Sequence, residues 1–326
     1  MSSFRGKSLI KLKMKKIVAV VVTYNGIKWI EECLSSLYSS SFLIDVIVID
    51  NDSSDQTVSY IKSKFPDVIL FEQKENLGFG KANNIGMSYA LNQNADFVYL
   101  LNQDAFVYRN TIENLVRVSQ KKTEYGVLSP IQLDYSGKLL ESYFFRFMAE
   151  DNTRSFYSDF VLGNQLKEIY DINFVQAAAW LLPIDTIKKI GGFDPLFYHY
   201  GEDNNYCQRL LYHDMKIGIV PSAFIRHASH KPKSEKVKLF SEKYFDIYKK
   251  QISVKYANIN VEFTTKSISN EIEKNHKIIL YNFLKFDLIK VRGFFKQLHI
   301  LNKTVKLIEI SRNKNVQINS NYLNLE

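Results

Sequence analysis

A chain of 326 residues, 46% apolar and 24% charged, has room for one large α/β domain with an appendage or for two modest domains. No apolar run approaches the roughly 18 residues that cross a bilayer, and two cysteines exclude a disulfide framework. The net charge of +9 is lopsided: residues 231–326 hold 19 Lys and Arg against 9 Asp and Glu, so the remainder is near neutral.

Residues 1–15 read as a polar, basic extension. Its charges imitate the start of a signal peptide, but Thr23, Tyr24 and Asn25 break the apolar segment that follows and no small-residue cleavage site comes after it. That points to a cytoplasmic protein. Residues 17–22, Ile-Val-Ala-Val-Val-Val, are apolar on both faces and predict a central parallel strand. A polar turn at 23–26 leads to a helix with Ile30, Cys33, Leu34 and Leu37 on one face. Cys33 and Cys207 both read as small buried apolar side chains. Residues 46–49 predict a second strand, closing on Asp50-Asn51-Asp52-Ser53-Ser54. Ser53 with Gln56 fits a capping box for the next helix, which Pro66 ends. A strand at 68–71 and a helix with Ala82, Ile85 and Tyr89 on one face follow. An apolar strand from residue 97 then stops at Asn102-Gln103-Asp104. Strands and helices alternating in units of about 25 to 30 residues imply a mainly parallel, Rossmann-like sheet with helices on both faces.

Beyond residue 105 the pattern loosens. It predicts a helix at 111–119, a strand at 127–133 interrupted by Pro130, an aromatic strand at 138–147 and a loop at 154–173. Residues 174–182 must be buried, as strand or helix. A short helix at 185–190 ends at Gly191-Gly192, another runs over 206–213, and a strand at 217–221 closes the domain. The division is an extension at 1–15, a main domain at 16–230 and a basic, mainly helical region at 231–326. In that last region Leu239, Phe240, Tyr244, Phe245 and Tyr248 fall at near-helical spacing, and 278–301 mixes apolar with basic residues. Both stretches suit attachment to an anionic membrane face or a helical appendage packed on the main domain. Nothing matches a nucleic-acid-binding motif, so no nucleic-acid partner is expected.

Polar clusters at 23–26, 50–52 and 102–104 each follow a strand of the same sheet and should converge at its carboxyl edge, where open α/β sheets bind ligands. A fourth, Glu202-Asp203, lies at a helix start. Taken alone, Asp50, Asp52 and Ser53 read as turn caps and the acid pair as residues suited to a helix N-terminus.

The clusters are more informative together. Val-Val-Val-Thr-Tyr-Asn at 20–25, Val-Ile-Asp-Asn-Asp-Ser-Ser-Asp at 48–55, Asn-Leu-Gly-Phe-Gly-Lys-Ala-Asn-Asn at 76–84 and Leu-Leu-Asn-Gln-Asp at 100–104 come in this order. Gly-Gly-Phe-Asp at 191–194 and Glu-Asp-Asn-Asn-Tyr-Cys-Gln-Arg-Leu at 202–210 follow. Across 17–227 the sequence resembles an inverting family 2 glycosyltransferase of the GT-A fold, nearest the rhamnosyltransferase-like branch. The resemblance implies a nucleoside-diphosphate sugar donor, dTDP-rhamnose or a UDP-hexose. It also implies a glycan or lipid-linked acceptor hydroxyl in surface polysaccharide synthesis, with Mg²⁺ or Mn²⁺ as cofactor. It assigns Thr23 and Asp50 to the base and ribose, and Tyr24, Asn25, Asn51, Gly78, Lys81, Asn84, Asn102 and Gln103 to the rest of the donor site. Asp104 and His227 become metal or diphosphate contacts, and Asp203, with Glu202 beside it, the catalytic base. Such an assignment is chemically sound, because a diphosphate leaves readily only when its charge is neutralised and an attacking hydroxyl must lose its proton. Gly78 and Gly80 would let backbone approach the diphosphate, with Lys81 as a point charge.

The sequence departs from the family at Asn102 and Asn205, where relatives carry acids. That keeps a non-catalytic binding scaffold in view. A sugar nucleotidyltransferase is the other rival, but it needs a Gly-rich, basic loop after the first strand, and Thr23 to Lys28 offers one glycine and one lysine. Phe197-Tyr198-His199-Tyr200 is either a sugar-stacking wall or core, and Trp180 either lines an acceptor pocket or fills the interior. His230 near His227 lacks the further ligands of a zinc site.

Overall fold

The computed structural model describes residues 15–148, 153–198, 200–229, 236–263, 265–319 and 321–323. Most of the predicted 1–15 extension, together with His199 and His230, lies outside them. Four parallel strands, β1 (Ile17–Thr23), β2 (Asp45–Asp50), β3 (Ile69–Glu72) and β4 (Phe97–Asn102), alternate with α1 (Ile30–Tyr38), α2 (Thr57–Lys64) and α3 (Phe79–Asn92). The alternation of β1 shows why it is central. Ile17, Ala19 and Val21 join the core on one face of the sheet, Val18 and Val20 the core on the other, and all five are essentially inaccessible. On the second face α3 lies flush because Gly86 has no side chain: a Cβ there would stand 2.3 Å from Val20 Cγ1.

The second half continues with β5 (Ala105–Val107), α4 (Thr111–Lys121), β6 (Tyr125–Asp134), α5 (Ser142–Met148), α6 (Arg154–Val161), β7 (Tyr170–Ile172), β8 (Ala179–Pro183), α7 (Ile184–Ile190), α8 (Glu202–Tyr212) and β9 (Lys216–His227). Among the described residues the sheet runs β3-β2-β1-β4-β8-β6-β9-β5, with β7 on the same edge of β9 as β5. Only β8, β5 and β7 run antiparallel to their neighbours. The long strand β9 is the organising element here. It pairs with β6 along its length, with β7 through 217–219 and with β5 through 225–227.

Several sequence expectations change. Residues 142–148 form a helix where an aromatic strand was expected, because the Glu141 carboxylate accepts the N–H groups of Tyr143 and Phe144, both at 2.8 Å, and so caps it. The expected loop at 154–173 contains α6 and β7. The strand through Pro130 extends over ten residues, with a register shift between Pro130 and Ile131 absorbing the missing donor. Residues 179–183 are strand, and Trp180 is fully buried against Phe193 and Tyr206, so it fills the core. Helix α8 starts at Glu202, four residues earlier than expected. Asp55, not Ser53, caps α2: its Oδ1 accepts the Thr57 N–H at 2.9 Å, while the Ser53 hydroxyl turns to Asp50.

The last region consists of α9 (Glu242–Tyr256), α10 (Thr265–Leu284) and α11 (Leu288–Asn315), whose apolar faces share a third core with Phe197. It also grips the main domain by polar contacts, at the loop before α8 and at α8 itself. Asp194 accepts hydrogen bonds from Ser311 Oγ (2.6 Å), Asn315 Nδ2 (2.8 Å) and the Tyr322 hydroxyl (3.1 Å). The buried Arg209 reaches Gly192 O at 2.5 Å and Asn315 Oδ1 at 3.3 Å. An appendage packed on the main domain is what the structure contains.

Candidate active site

The three polar turns at the carboxyl ends of β1, β2 and β4 converge. Thr23, wholly buried, donates from its hydroxyl to Asp50 Oδ1 at 2.9 Å. Asp50 also takes the Ser53 hydroxyl (2.5 Å) and the Ser53 N–H (2.9 Å). Asn25, held at φ 49°, accepts through Oδ1 from the N–H groups of Ser54 and Asp55. Gln103 and the exposed Tyr24 exchange hydrogen bonds: the Tyr24 N–H donates to Gln103 Oε1 (3.0 Å) and Gln103 Nε2 donates to Tyr24 O (3.2 Å). That side chain covers Gly26, where a Cβ would lie 2.2 Å from Gln103 Oε1.

Some expected donor contacts are spent on the protein itself. Asn51 accepts the Leu77 N–H (3.2 Å) and donates to Gly78 O (3.3 Å), holding the turn before α3. Asn84 clamps the Phe193 backbone, donating to its carbonyl at 2.8 Å and accepting its N–H at 2.7 Å. The room left by the glycines is filled by the same segment. A Cβ at Gly78, which has φ +79°, would meet Tyr198 O at 2.2 Å, and one at Gly80 would meet Phe193 Cβ at 2.9 Å. Lys81 is exposed on the first turn of α3.

The strand ends also bring together residues distant in sequence. Asp104 Oδ1 lies 3.5 Å from His227 Nε2, because Ala105 pairs with His227 across β5 and β9. The other ring nitrogen, His227 Nδ1, is buried without a hydrogen-bond partner among the described residues, and so is Asn102 Oδ1. A carboxylate and an imidazole facing one another, with no third His, Cys, Asp or Glu grouped with them among the described residues, suit a divalent cation that completes its shell with phosphate oxygens and water. Beside His227 opens a cavity of about 380 Å³ lined in part by Lys28, Trp29, Tyr135, Glu141 and Ser229.

The acid pair reaches this edge through one dipeptide. The Asn102 N–H donates to Ala178 O at 2.9 Å, while the backbone N–H of the neighbouring Ala177 faces the Asp203 carboxylate and lowers its pKa. The two acids differ. Asp203 is partly exposed on the first turn of α8; burial raises its pKa, against hydrogen bonds from Asn204 and Ala177 and the attraction of Lys250. Glu202 is buried beside Gly80 and Phe193, its Oε2 has no partner among the described residues, and burial with the Asp203 charge pushes it up to about 7. Lys250, whose ammonium sits 4.9 Å over the Tyr200 ring, comes from α9. Sequence spacing carries no sign of it, because α9 lies far along the chain; neither does it show that Lys28, Trp29 and Glu141 share a cavity with His227.

Comparison with known proteins matches residues 18–174 to the family model described as glycosyl transferase family 2. The low-salt glycan biosynthesis hexosyltransferase of Haloferax volcanii is 24% identical over 61% of this chain and 62% of its own. The N-acetylglucosaminyl-diphospho-decaprenol L-rhamnosyltransferase of Mycobacterium tuberculosis is 25% identical over 64% of this chain and 74% of its own. The structure of S. aureus TarS 1-349 with UDP-GlcNAc superposes with a TM-score of 0.54 at 15% identity, covering 92% of this chain and 89% of that one. Solved neighbours of this shape include complexes with Mn²⁺. Three curated relatives are matched over only 62%, 38% and 54% of their length. Residues 18–174 are similar to family 2 glycosyltransferases, and the fold is GT-A.

Proposed function

We propose that this protein is an inverting glycosyltransferase that moves a sugar from a nucleoside-diphosphate donor to a hydroxyl of a glycan or lipid-linked acceptor. The observation that carries the reading is the juxtaposition just described: the Asp50 turn, the Asp104–His227 pair and the Asp203 carboxylate meet at one sheet edge. Asp203, on the partly exposed first turn of α8, takes the acceptor proton. The strand-end turns hold the nucleoside. Asp104 and His227 would hold a divalent metal, which when bound supplies charge neutralisation of the departing diphosphate. The donor is dTDP-rhamnose or a UDP-hexose, the first favoured by the match to a rhamnosyltransferase. Residues 16–230 are the transferase unit; 231–326 is the appended region, which also contributes Lys250 to the site.

The test is calorimetric binding of UDP, dTDP and GDP sugars, with and without Mn²⁺, to wild type and Asp104→Ala. Metal-dependent binding of one nucleotide, weakened about 10- to 100-fold by the substitution, is expected. Folded protein that binds none of them overturns the reading and leaves a scaffold.

A further inference from the structure

The hairpin of α10 and α11 ends in an apolar tip that nothing among the described residues covers. Phe286 is 88% exposed, Ile289 81%, Leu284 69% and Leu288 66%, with Leu280 and Phe283 also exposed. The far end of α11 is anchored at Asp194 through Ser311 and Asn315, roughly 35 Å along the helix from Leu288. The middle is anchored too. Phe240 packs against Gly293, where a Cβ would lie 2.4 Å from its ring, and the Tyr244 hydroxyl donates to Gln297 at 2.6 Å. The buried residues nearest the tip are Ile279 and Asn282 on α10 and Gly293 on α11, so the exposed apolar end from Phe283 to Ile289 lies at the edge of the packed part of the hairpin.

Charge decides what covers this knob. Between Glu273 and Lys296 the chain carries six Lys and Arg against two acids. Both acids are already paired, Glu273 with Lys277 at 2.6 Å and Asp287 with Lys290 at 2.8 Å, and Asp287 also caps α11. Lys285 sits 4.5 Å over the Tyr281 ring. A cationic collar around an exposed apolar point repels a second copy of itself and attracts an anionic surface, whose hydrocarbon accepts the apolar residues. No helix among the described residues is long and apolar enough to cross a membrane, so the fit is shallow insertion.

We infer that the α10–α11 tip, Leu284 to Ile289 with its basic collar, docks the protein on an anionic lipid surface. This rests on the transferase reading only for its purpose, which is delivery to a lipid-linked acceptor; its test reads binding alone. The full chain is floated with vesicles of phosphatidylcholine, or of equal parts phosphatidylcholine and phosphatidylglycerol. Flotation with the anionic vesicles, weakened by salt, is expected, with about tenfold less on neutral ones. A Phe286→Ser/Ile289→Ser variant, and separately Lys285→Glu/Arg292→Glu, should each lose about tenfold, with unchanged melting temperature and nucleotide binding. The inference is overturned if wild type stays at the bottom, if the tip variants float equally well, or if light scattering shows a dimer that the tip variants dissolve. Flotation that persists when no nucleotide binds would remove the transferase reading and leave this one standing.

Discussion

Asp50 and Glu202 are carboxylates of one site, both nearly sealed from solvent, at 2% and 6% exposure, yet their surroundings are opposites. Asp50 is met by two hydroxyls and a backbone N–H from the turns it ties together. Glu202 has apolar neighbours, an orphaned Oε2 and an acid beside it. On the transferase function proposed above, the nucleotide side is thus a scaffold whose charges are answered in advance, which keeps geometry fixed before the donor arrives. The acid side keeps its charge costly, which is how a protein readies a group to handle protons.

The largest effect that tests this contrast is on rate. Asp203→Asn should lower kcat about 10³-fold while leaving nucleotide binding as in wild type and without lowering the melting temperature; an equal loss of binding would erase the division between the two sides. Asp50→Ala should do the reverse in kind. Losing the acceptor of one buried and two part-buried hydrogen bonds is expected to cost on the order of 2 to 3 kcal/mol, read as a fall in denaturation midpoint. Next comes Glu202→Gln. Its carboxyl is raised from 4.5 to about 7 in the folded protein, so the folded state holds the proton more tightly. Stability from this group therefore falls as pH rises from about 4.5 to 7, and the cost is complete above 7. The glutamine variant should melt higher than wild type at pH 8, by on the order of 1 to 2 kcal/mol, and match it at pH 4.5. The smallest expected effect belongs to Lys250→Met. Lys250 lowers both acids, so removing it should carry the acid limb of the kcat/KM profile upward by a few tenths of a pH unit.

The strand-turn-helix order through residue 104 is legible in the sequence because each buried strand is an uninterrupted apolar run and each turn a run of short polar residues. The acids at 104 and 203 stand out for the same reason. What the sequence hides is the partner of each polar group. Asn51 and Asn84 look like ligand contacts, but an amide side chain satisfies a backbone as readily as a nucleotide, and only the fold brings Gly78 and Phe193 to them. Residues 143–147, Tyr-Phe-Phe-Arg-Phe, have the composition of a strand, and a helix wins through the cap by Glu141, itself held by Gln176 and Ser229. Lys250 becomes part of the site only through the packing of α9 on the loop before α8, where Val254 touches the space above Gly201.

Between β4 and β6 the sheet is joined by β8, which runs against both and stands in the middle of the order. In the growing chain that middle piece comes late. Some 76 residues separate the end of β4 at Asn102 from the start of β8 at Ala179. At about 5 to 20 residues per second, a ribosome leaves the open edge of β4 unpaired for several seconds. During that interval a row of backbone donors and acceptors flanked by Val98, Leu100 and Leu101 is available to any other extended segment. The step that joins the two halves of the sheet is therefore also one exposed to mispairing, so the yield of folded protein should depend on how quickly residues 103–178 are made.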